Sequence, residues 1–343
     1  MKNKYKVAVL GSTGYVGLEL VYLLSLNKEI KINFLGSESN SNINISKIDS
    51  RIKKKLPKIK LNKEFDCNQS DIVFLCLPHK ISQSYVKKFY GKIKIIDLSA
   101  DFRLDNANTY YKNYSIKHSS PKLLKKFIYG LYEINYDKIK KNKYIAVPGC
   151  YPTSVLLPLI PLVKNNLIET DEIIIDSKSG YSGAGKNFDK NNLFKFGENL
   201  NFYNYNTNDH RHICEIKQEL EKNNSKKNIN FSFNPHIMPV FRGIMSTIYC
   251  DLNTDITTND IENCYKNHYS DLPFIKIKKD KEKFDFFTVQ NTNNCLIKLF
   301  PHSSDNKIII VSLIDNLIKG AAGQAIQCFN IIYNFDERLS FKN

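Results

Sequence analysis

Cys150 stands where a strand-like run gives way to a helical one, in the stretch KYIAVPGCYPTSVLLPLIPLV, residues 143–163. Pro152 suits the first turn of a helix, because its missing N–H breaks no hydrogen bond there. The sequence therefore predicts that Cys150 lies at or beside a helix N-cap, where the helix dipole favours a thiolate over a thiol. Two interpretations remain open at this point: a nucleophile and a buried structural cysteine.

The segment DHRHICEI, residues 209–216, offers the acid or base that a nucleophile needs. The apolar positions that follow recur at helical spacing: Ile213, Ile216 and Leu220. This spacing predicts that Asp209 or a neighbour caps a helix, with His210 at its mouth. A metal set of His210, His212 and Cys214 is disfavoured, because residues two apart on a helix do not share a face and no second cluster completes four ligands. We expect no metal; an exposed, solvated His-Arg-His is the other alternative.

GSTGYVG, residues 11–17, follows the first predicted strand and opens an amphipathic helix. Glycines at these positions let the backbone approach a pyrophosphate, and the free N–H groups at the helix start hold the anion. The spacing is G-x-x-G-x-x-G, so an ordinary glycine turn remains an alternative. The predicted cofactor-binding residues of this loop are Gly11, Ser12, Thr13, Gly14, Tyr15, Val16 and Gly17.

The end of the second predicted strand bears on the choice of cofactor. Its sequence is Gly36-Ser37-Glu38-Ser39. Ser37 suits a ribose 2′-phosphate, whereas the charge of Glu38 repels one. We favour NADP (NADPH), in part because of the family resemblance given below.

The order of apolar runs predicts an α/β fold in two domains. The first 150 residues alternate strand-like and helical patterns, which predicts a Rossmann-type doubly wound parallel sheet. The later runs are strand-rich with fewer helices, which predicts an α+β catalytic domain with a mixed or antiparallel sheet. The expected NADP-binding domain is 1–149, completed by a C-terminal helix in 316–343, and the expected catalytic, substrate-binding and dimerisation domain is 150–315.

Composition excludes several classes of protein. The net charge is +16, but the lysines are spread along the chain without interleaved aromatics, so we expect no nucleic-acid partner. The longest apolar run has nine residues and two prolines, well short of the roughly 20 that a membrane span needs, so we expect no membrane association. The eight scattered cysteines are typical of a reduced, cytoplasmic protein.

Eight segments, taken in order, resemble the N-acetyl-γ-glutamyl-phosphate reductase family, the arginine-pathway relatives of aspartate-semialdehyde dehydrogenase. They span nearly the whole chain: GSTGYVG (11–17), DLSADFR (97–103), YGLYEIN (129–135), VPGCYPTS (147–154), KSGYSGAGK (178–186), HRHICEI (210–216), NPHIMPVFRGIMST (234–247) and IDNLIKGAAGQAIQ (314–327). An ordered set of eight is far more specific than any single motif.

The resemblance implies the NADPH-dependent reduction of N-acetylglutamate 5-phosphate to the 5-semialdehyde, with release of phosphate. It implies that Cys150 displaces phosphate to give a thioacyl-enzyme. It further implies that His210 is the acid or base that helps to form the thiolate and stabilises the oxyanion, with His212 as the alternative. A thioester is suited to this route because its carbonyl accepts hydride more readily than a carboxylate.

The resemblance also suggests ligand-binding residues. Arg103 follows a predicted strand end and is expected to grip the acyl phosphate, because arginine binds such groups through two parallel hydrogen bonds. The remaining substrate-binding predictions are Arg211, His212 and Arg242. Further cofactor-binding predictions are Ser37, Pro78, Ser182, Gly183 and Asn316. For each arginine, a structural ion pair with a nearby acid is the alternative.

Two other functions remain open. The first is the same chemistry on a longer or carrier-protein-bound aminoadipyl or glutamyl phosphate. The second is a dinucleotide-binding protein without catalysis. The expected partners are a small-molecule acyl phosphate and further copies of the chain, as a homo-oligomer that is a dimer or a tetramer.

Overall fold

The computed structural model describes residues 4–195, 199–225, 228–303 and 306–341. It divides into two compact units. Unit 1 comprises Met1–Pro148 and Ala321–Asn343, and unit 2 comprises Gly149–Gly320. A parallel sheet lies in unit 1 and a mixed sheet in unit 2, so the predicted fold class is confirmed.

The sheet of unit 1 has six strands. They are β1 (Tyr5–Leu10), β2 (Ile30–Gly36), β3 (Ile72–Leu75), β4 (Lys94–Asp97), β5 (Ile128–Tyr129) and β6 (Tyr144–Ala146). Their order is β2-β1-β3-β4-β6-β5, and every neighbouring pair is parallel. The central strand β3 is buried along its whole length, as expected for a parallel strand covered on both faces.

Four helices connect these strands. They are α1 (Tyr15–Leu26), α2 (Ser82–Phe89), α3 (Ala107–Tyr114) and α4 (Tyr132–Lys140). Helix α3 begins where the side chain of Asn106 accepts hydrogen bonds from the N–H groups of Asn108 and Thr109. The first strand and α1 meet at residues 11–14, which places the glycine-rich loop at the carboxyl edge of the parallel sheet.

Unit 2 is built on a seven-stranded sheet with the order β10-β11-β7-β12-β15-β14-β13. Its strands are β7 (Ile173–Gly180), β10 (Tyr203–Asn204), β11 (Phe231–Met238), β12 (Ile244–Asp251), β13 (Ile275–Lys278), β14 (Cys295–Pro301) and β15 (Lys307–Ile314), while β8 (Phe194–Lys195) and β9 (Asn199–Leu200) form a separate pair. The β7–β11 and β13–β14 pairs are parallel, and the other pairs are antiparallel. The helices are α5 (Cys150–Lys164), α6 (Ile213–Asn223) and α7 (Thr258–Tyr269).

Helix α5 is the central helix of unit 2 and is buried from Tyr151 to Val163. It carries Pro158 and Pro161 in its interior. Because Pro161 has no N–H, the carbonyl of Leu157 loses its helical partner, and the hydroxyl of Tyr269 on α7 donates to that carbonyl instead. The proline-rich helix is thus held by a side chain of a neighbouring helix.

Strand β15 is followed by a π-helical turn, Ile318–Ala322, and then by α8 (Gly323–Ile332). Within unit 1, α8 packs against α1 and α4, and the side chain of Gln324 donates to the carbonyl of Gly130 at 2.9 Å. No helix in the described part of the chain is long and apolar enough to cross a membrane.

Candidate active site

Cys150 is the first residue of α5, as the sequence predicts, and its side chain is half-buried. The preceding residue, Gly149, is the N-cap of the helix. Its N–H donates to a carboxylate oxygen of Glu215 at 2.8 Å, and Glu215 is almost fully buried. The cysteine therefore sits at the positive end of a buried helix whose N-cap is fixed by a side chain of α6.

Gly320 lies against Cys150. A Cβ atom added at position 320 would come within 2.8 Å of the Cβ of Cys150. Real Cβ atoms do not approach so closely, so the absence of a side chain at this position is required for the observed placement of the cysteine.

His210 is buried in the turn before α6. Its Nδ1 accepts a hydrogen bond from the N–H of His212 at 3.1 Å, so the neutral ring carries its proton on Nε2. Burial and the neighbouring charge of Arg211 lower the pKa of His210 to about 4. At neutral pH His210 is therefore an uncharged ring with an N–H donor at Nε2.

Tyr205 completes this group and was not anticipated from the sequence. Its hydroxyl lies 3.5 Å from Nε2 of His210 and donates to the hydroxyl of Tyr151 at 3.4 Å. Burial raises the pKa of Tyr205 to about 12, and the charge of Cys150 adds to that increase. The thiol, Tyr151, Tyr205 and His210 therefore form one local cluster in unit 2. The sequence feature that could have indicated Tyr205 is the aromatic run NFYNYN, residues 201–206, just before the histidines.

The two residues beside His210 differ in exposure. His212 is buried, with its ring centroid 4.8 Å from that of His210. Arg211 is exposed. The alternative of a fully solvated His-Arg-His is therefore wrong for both rings. Among the described residues, no group of three or more His, Cys, Asp or Glu side chains is arranged to hold a metal ion.

Arg242 is buried in unit 2 next to a buried acid. Its Nη1 lies 3.2 Å from Oδ2 of Asp315 and donates to Oδ1 of Asn291 at 2.8 Å. Burial raises the pKa of Asp315 above its ordinary value, and the charge of Arg242 opposes that increase. The structure thus gives Arg242 a structural partner, which was the alternative to substrate binding.

Asn316 holds the loop that contains Ser182 and Gly183. Its Nδ2 donates to Oγ of Ser182 at 2.8 Å, and its Oδ1 accepts from the N–H of Gly243 at 2.8 Å. A Cβ added at Gly183 would lie 3.3 Å from Oγ of Ser179, so this part of the loop is tightly packed. These three predicted cofactor residues are therefore brought together in unit 2.

In unit 1 the loop at residues 11–17 depends on glycine at two positions. Gly11 has a φ of +77°, and a Cβ there would meet the carbonyl oxygen of Cys76 at 2.2 Å. A Cβ at Gly17 would meet the carbonyl oxygen of Gly11 at 2.2 Å. The loop therefore closes tightly onto the start of α1, which is the backbone arrangement that a dinucleotide pyrophosphate needs.

A second residue not anticipated from the sequence, Asn62, joins this loop to the end of β2. Its Oδ1 accepts from the N–H of Gly11 at 3.1 Å, and its Nδ2 donates to Oε1 of Glu38 at 2.8 Å. Ser37 is buried and bonds through Oγ to Oγ1 of Thr13 at 2.7 Å. Asn62 lies in a short 3₁₀ turn, Asn62–Glu64, and no local pattern marked it.

Arg103 is buried in unit 1, where it donates from Nε to the carbonyl of Val147 at 2.7 Å and from Nη2 to that of Leu98 at 3.0 Å. These bonds join the segments that follow β4 and β6. Pro78 is exposed in the loop after β3. Both residues lie beyond the carboxyl ends of strands in the parallel sheet.

Comparison with known proteins agrees with this arrangement. Residues 6–142 match the model of the semialdehyde dehydrogenase NAD binding domain, and residues 150–316 match that of the semialdehyde dehydrogenase dimerisation domain. N-acetyl-gamma-glutamyl-phosphate reductase of Ehrlichia canis is 41% identical over 100% of this chain and 99% of its own length. The reductase of that name from Caldicellulosiruptor bescii is 45% identical over 97% of each chain.

The chain belongs to the N-acetyl-γ-glutamyl-phosphate reductase family. Solved structures extend the likeness of fold to more distant proteins. Aspartate semialdehyde dehydrogenase II of Vibrio cholerae, complexed with ASA, superposes with a TM-score of 0.71 at 16% identity, covering 97% of this chain and 99% of that one. Aspartate semialdehyde dehydrogenase of Candida albicans, with NADP, gives 0.69 at 17% identity, covering 96% and 99%. The family resemblance read from the eight sequence segments is confirmed.

The protonation state of His210 can be measured directly in this reductase-family chain. We expect histidine ¹⁵N spectra to show a neutral Nε2–H ring from pH 8 down to about 5.5, with protonation only near pH 4. Because the unfolded chain takes up this proton first, acidification from about 6.5 towards 4 lowers folded stability. The His210→Gln variant assigns the signal, and a titration near 6.5 would contradict the burial argument.

Proposed function

We propose that this chain catalyses the NADPH-dependent reduction of N-acetyl-L-glutamate 5-phosphate to N-acetyl-L-glutamate 5-semialdehyde, a step of arginine biosynthesis. Relatives that match over 99% and 97% of their own length carry the name of this reductase. The observation that carries the proposal is the position of Cys150: it begins a buried helix, its charge acts on the hydroxyls of Tyr151 and Tyr205, and the hydroxyl of Tyr205 lies 3.5 Å from the neutral ring of His210. A dinucleotide-binding protein without catalysis needs none of these groups.

The proposed chemistry begins with the thiolate of Cys150. Its sulfur attacks the acyl carbon of the substrate, the bond from that carbon to the phosphate oxygen breaks, and phosphate leaves with the electron pair. The resulting thioester carbonyl is a good hydride acceptor. When bound, the reduced nicotinamide cofactor supplies the hydride. Collapse of the tetrahedral thiohemiacetal then breaks the C–S bond, which returns the thiolate and releases the aldehyde.

His210 suits the role of hydrogen-bond donor to the developing oxyanion. Its proton is on Nε2, because Nδ1 accepts from the N–H of His212. A fixed donor that needs no reorganisation stabilises charge most effectively in a site shielded from water. The same bond at Nδ1 disfavours His210 as the base for the thiol. We therefore assign thiolate formation to the helix N-terminus at Gly149.

For the substrate anions we propose Arg211, which is exposed directly beside the two histidines. His212, next to it, remains a predicted substrate contact. Arg103 for the acyl phosphate and Arg242 for the carboxylate also stay predictions, since the bonds described above give each a structural role in its own unit. The guanidinium of Arg211 is the one best placed in this cluster to add a charge-assisted contact.

NADP is the cofactor that we propose. The residues from Gly11 to Gly17 would hold its pyrophosphate, and Ser37 would lie near the 2′-phosphate. Pro78, Ser182, Gly183 and Asn316 are the proposed contacts elsewhere on the cofactor. The negative charge of Glu38 opposes this choice, because it repels the 2′-phosphate, and a hydrogen bond to Asn62 holds the carboxylate in place. We therefore expect the protein to discriminate only weakly between NADP and NAD.

We further propose that the chain forms a homo-oligomer through the seven-stranded sheet. One row across four of its strands is apolar and partly exposed: Ile174, Tyr249, Ile309 and Phe300 are neighbours in register. Tyr249 is 40% exposed and Ile174 is 51% exposed. Such a row on a sheet face is typical of a protein interface, and the matching family region is described as a dimerisation domain. A cytoplasmic location fits a function that depends on a reduced thiol.

The covalent route is tested by Cys150→Ala. We expect the variant to lose at least about a thousandfold in turnover, because no other group can form the thioester, while NADP⁺ binding stays within about twofold. Turnover is measured with free N-acetylglutamyl phosphate and NADPH, and binding by calorimetry. Cys264→Ala, at another half-buried cysteine, is the matched control and should keep full turnover. Equal turnover in Cys150→Ala and wild type would exclude the route; no turnover of the free substrate by wild type would point to a carrier-bound or longer one.

The effect of Glu38 is tested by Glu38→Gln. Glutamine keeps an oxygen for the Asn62 hydrogen bond but removes the charge. We expect NADP⁺ to bind about three- to tenfold more tightly while NAD⁺ changes little, because a like charge near the 2′-phosphate is gone. Both dissociation constants are measured by calorimetry, with Glu29→Gln as a control for lost surface charge. An unchanged ratio of the two constants argues that Glu38 lies away from the ribose.

The proposed interface is tested by Tyr249→Glu. Wild-type protein should elute as a dimer or tetramer in size-exclusion chromatography with light scattering, and the variant as a smaller species, because a carboxylate in an apolar interface is costly to desolvate. Tyr111→Glu, at a tyrosine that is 51% exposed in unit 1, is the control and should not dissociate. If wild type is monomeric, or if Tyr249→Glu keeps the oligomeric state of wild type, this face is not the interface.

A further inference from the structure

A groove of about 530 Å³ runs beside the first half of strand β2 in unit 1. It is lined by Lys4, residues 30–33 and residues 54–57. Strand β2 is the outermost strand of the six-stranded sheet, so this side of it has no neighbouring strand. The groove begins at the amino end of β2, at the opposite end of the strand from Ser37 and the glycine-rich loop.

Four lysines surround this groove: Lys4, Lys31, Lys54 and Lys55. None of them makes an ion pair with a carboxylate among the residues that the structure describes. Burial lowers the pKa of Lys54, and the charge of Lys4 lowers it further. The described residues therefore leave the positive charge of this groove without a paired carboxylate.

The floor of the groove is apolar. Ile30 and Ile32 are buried, and Leu56 and Pro57 are half-buried. The second half of β2 is covered, because the N–H of Lys60 donates to the carbonyl of Leu35 and the N–H of Ser37 donates to that of Lys60, both at 2.9 Å. The segment that covers the strand thus ends at the groove and leaves its first half open.

Lysines at a sheet edge also serve to prevent aggregation. That role requires charge alone. Preventing aggregation does not require a concave space with an apolar floor. Nor does it require lysines from two separate segments, β2 and the loop at 54–57, around that space. The volume of the groove is that of a small-molecule site, which spans roughly 300–1,000 Å³.

We propose that this groove binds a small multivalent anion that carries several phosphates, either as free polyphosphate or on a nucleoside. The four ammonium groups hold the phosphates, and the apolar floor accepts a flat organic group. The ligand bridges β2 and the loop at 54–57, so it also stabilises unit 1 against unfolding. This site is separate from the cluster around Cys150 and does not depend on the proposed reaction.

The experiment uses the full chain with saturating NADP⁺, so that the glycine-rich loop is occupied, and titrates ATP or tripolyphosphate by calorimetry. Wild type should bind one equivalent, with affinity that falls as salt is raised. The variant Lys54→Gln with Lys55→Gln should bind at least about tenfold more weakly, because two of the four charges are lost. The control, Lys125→Gln with Lys126→Gln, removes the same charge from an exposed pair elsewhere in unit 1 and should bind within about twofold of wild type.

Tighter binding of ATP than of tripolyphosphate assigns the site to a nucleoside phosphate, and equal binding assigns it to the polyphosphate alone; both outcomes support the proposal. Absence of saturable binding by wild type overturns it. Equal weakening in both double variants also overturns it, because the attraction would then be general surface charge. An unchanged melting temperature of the Lys54 and Lys55 variant without ATP shows correct folding, and loss of the ATP-induced thermal shift in that variant alone gives an independent check on binding.

Discussion

The hydrogen bond from the N–H of Gly149 to the buried carboxylate of Glu215 is the contact on which the candidate site depends. It joins the first peptide of α5 to the first turn of α6, and these two helix starts carry Cys150 and the histidine pair. A carboxylate in such a buried place is retained only where a donor satisfies it. The bond therefore fixes two segments of the candidate site relative to each other, although they lie 66 positions apart in the sequence.

The rest of unit 2 supports that contact by making α5 rigid. The helix is buried on all sides, and its internal prolines would weaken an isolated helix. Tyr269 compensates for one missing bond, and Tyr265 donates to the carbonyl of Pro158 at 2.8 Å. Both tyrosines come from α7, so a helix without any predicted site residue holds the helix that presents the cysteine.

Much of the fold could be predicted because the signals are local. The alternation of strands and helices, the helix start at Cys150 and the glycine-rich turn each follow from residues within one short window. The positions of Asn62, Glu215 and Gly320 in the candidate sites could not be obtained in this way, because each contacts a residue more than 50 positions away. The same holds for the contact of Tyr205 with Tyr151, although its contact with His210 is local. The ion pair of Arg242 with Asp315 was likewise visible only as one of two alternatives, and the bonds of Arg103 to two backbone carbonyls were not anticipated. The hydrophobic periodicity of a helix or strand predicts which of its faces is buried, but not which distant residue packs against that face.

The contact of Gly320 with Cys150 has a consequence for variation in this chain. Any residue larger than glycine at position 320 must displace the first turn of α5, so the geometry of the proposed nucleophile is constrained from a point 170 positions downstream. A methyl group there would move the thiol of Cys150 without replacing any polar side chain of the candidate site. A substitution at Gly320 would therefore be missed by a mutational scan that covers only ionisable or hydrogen-bonding side chains.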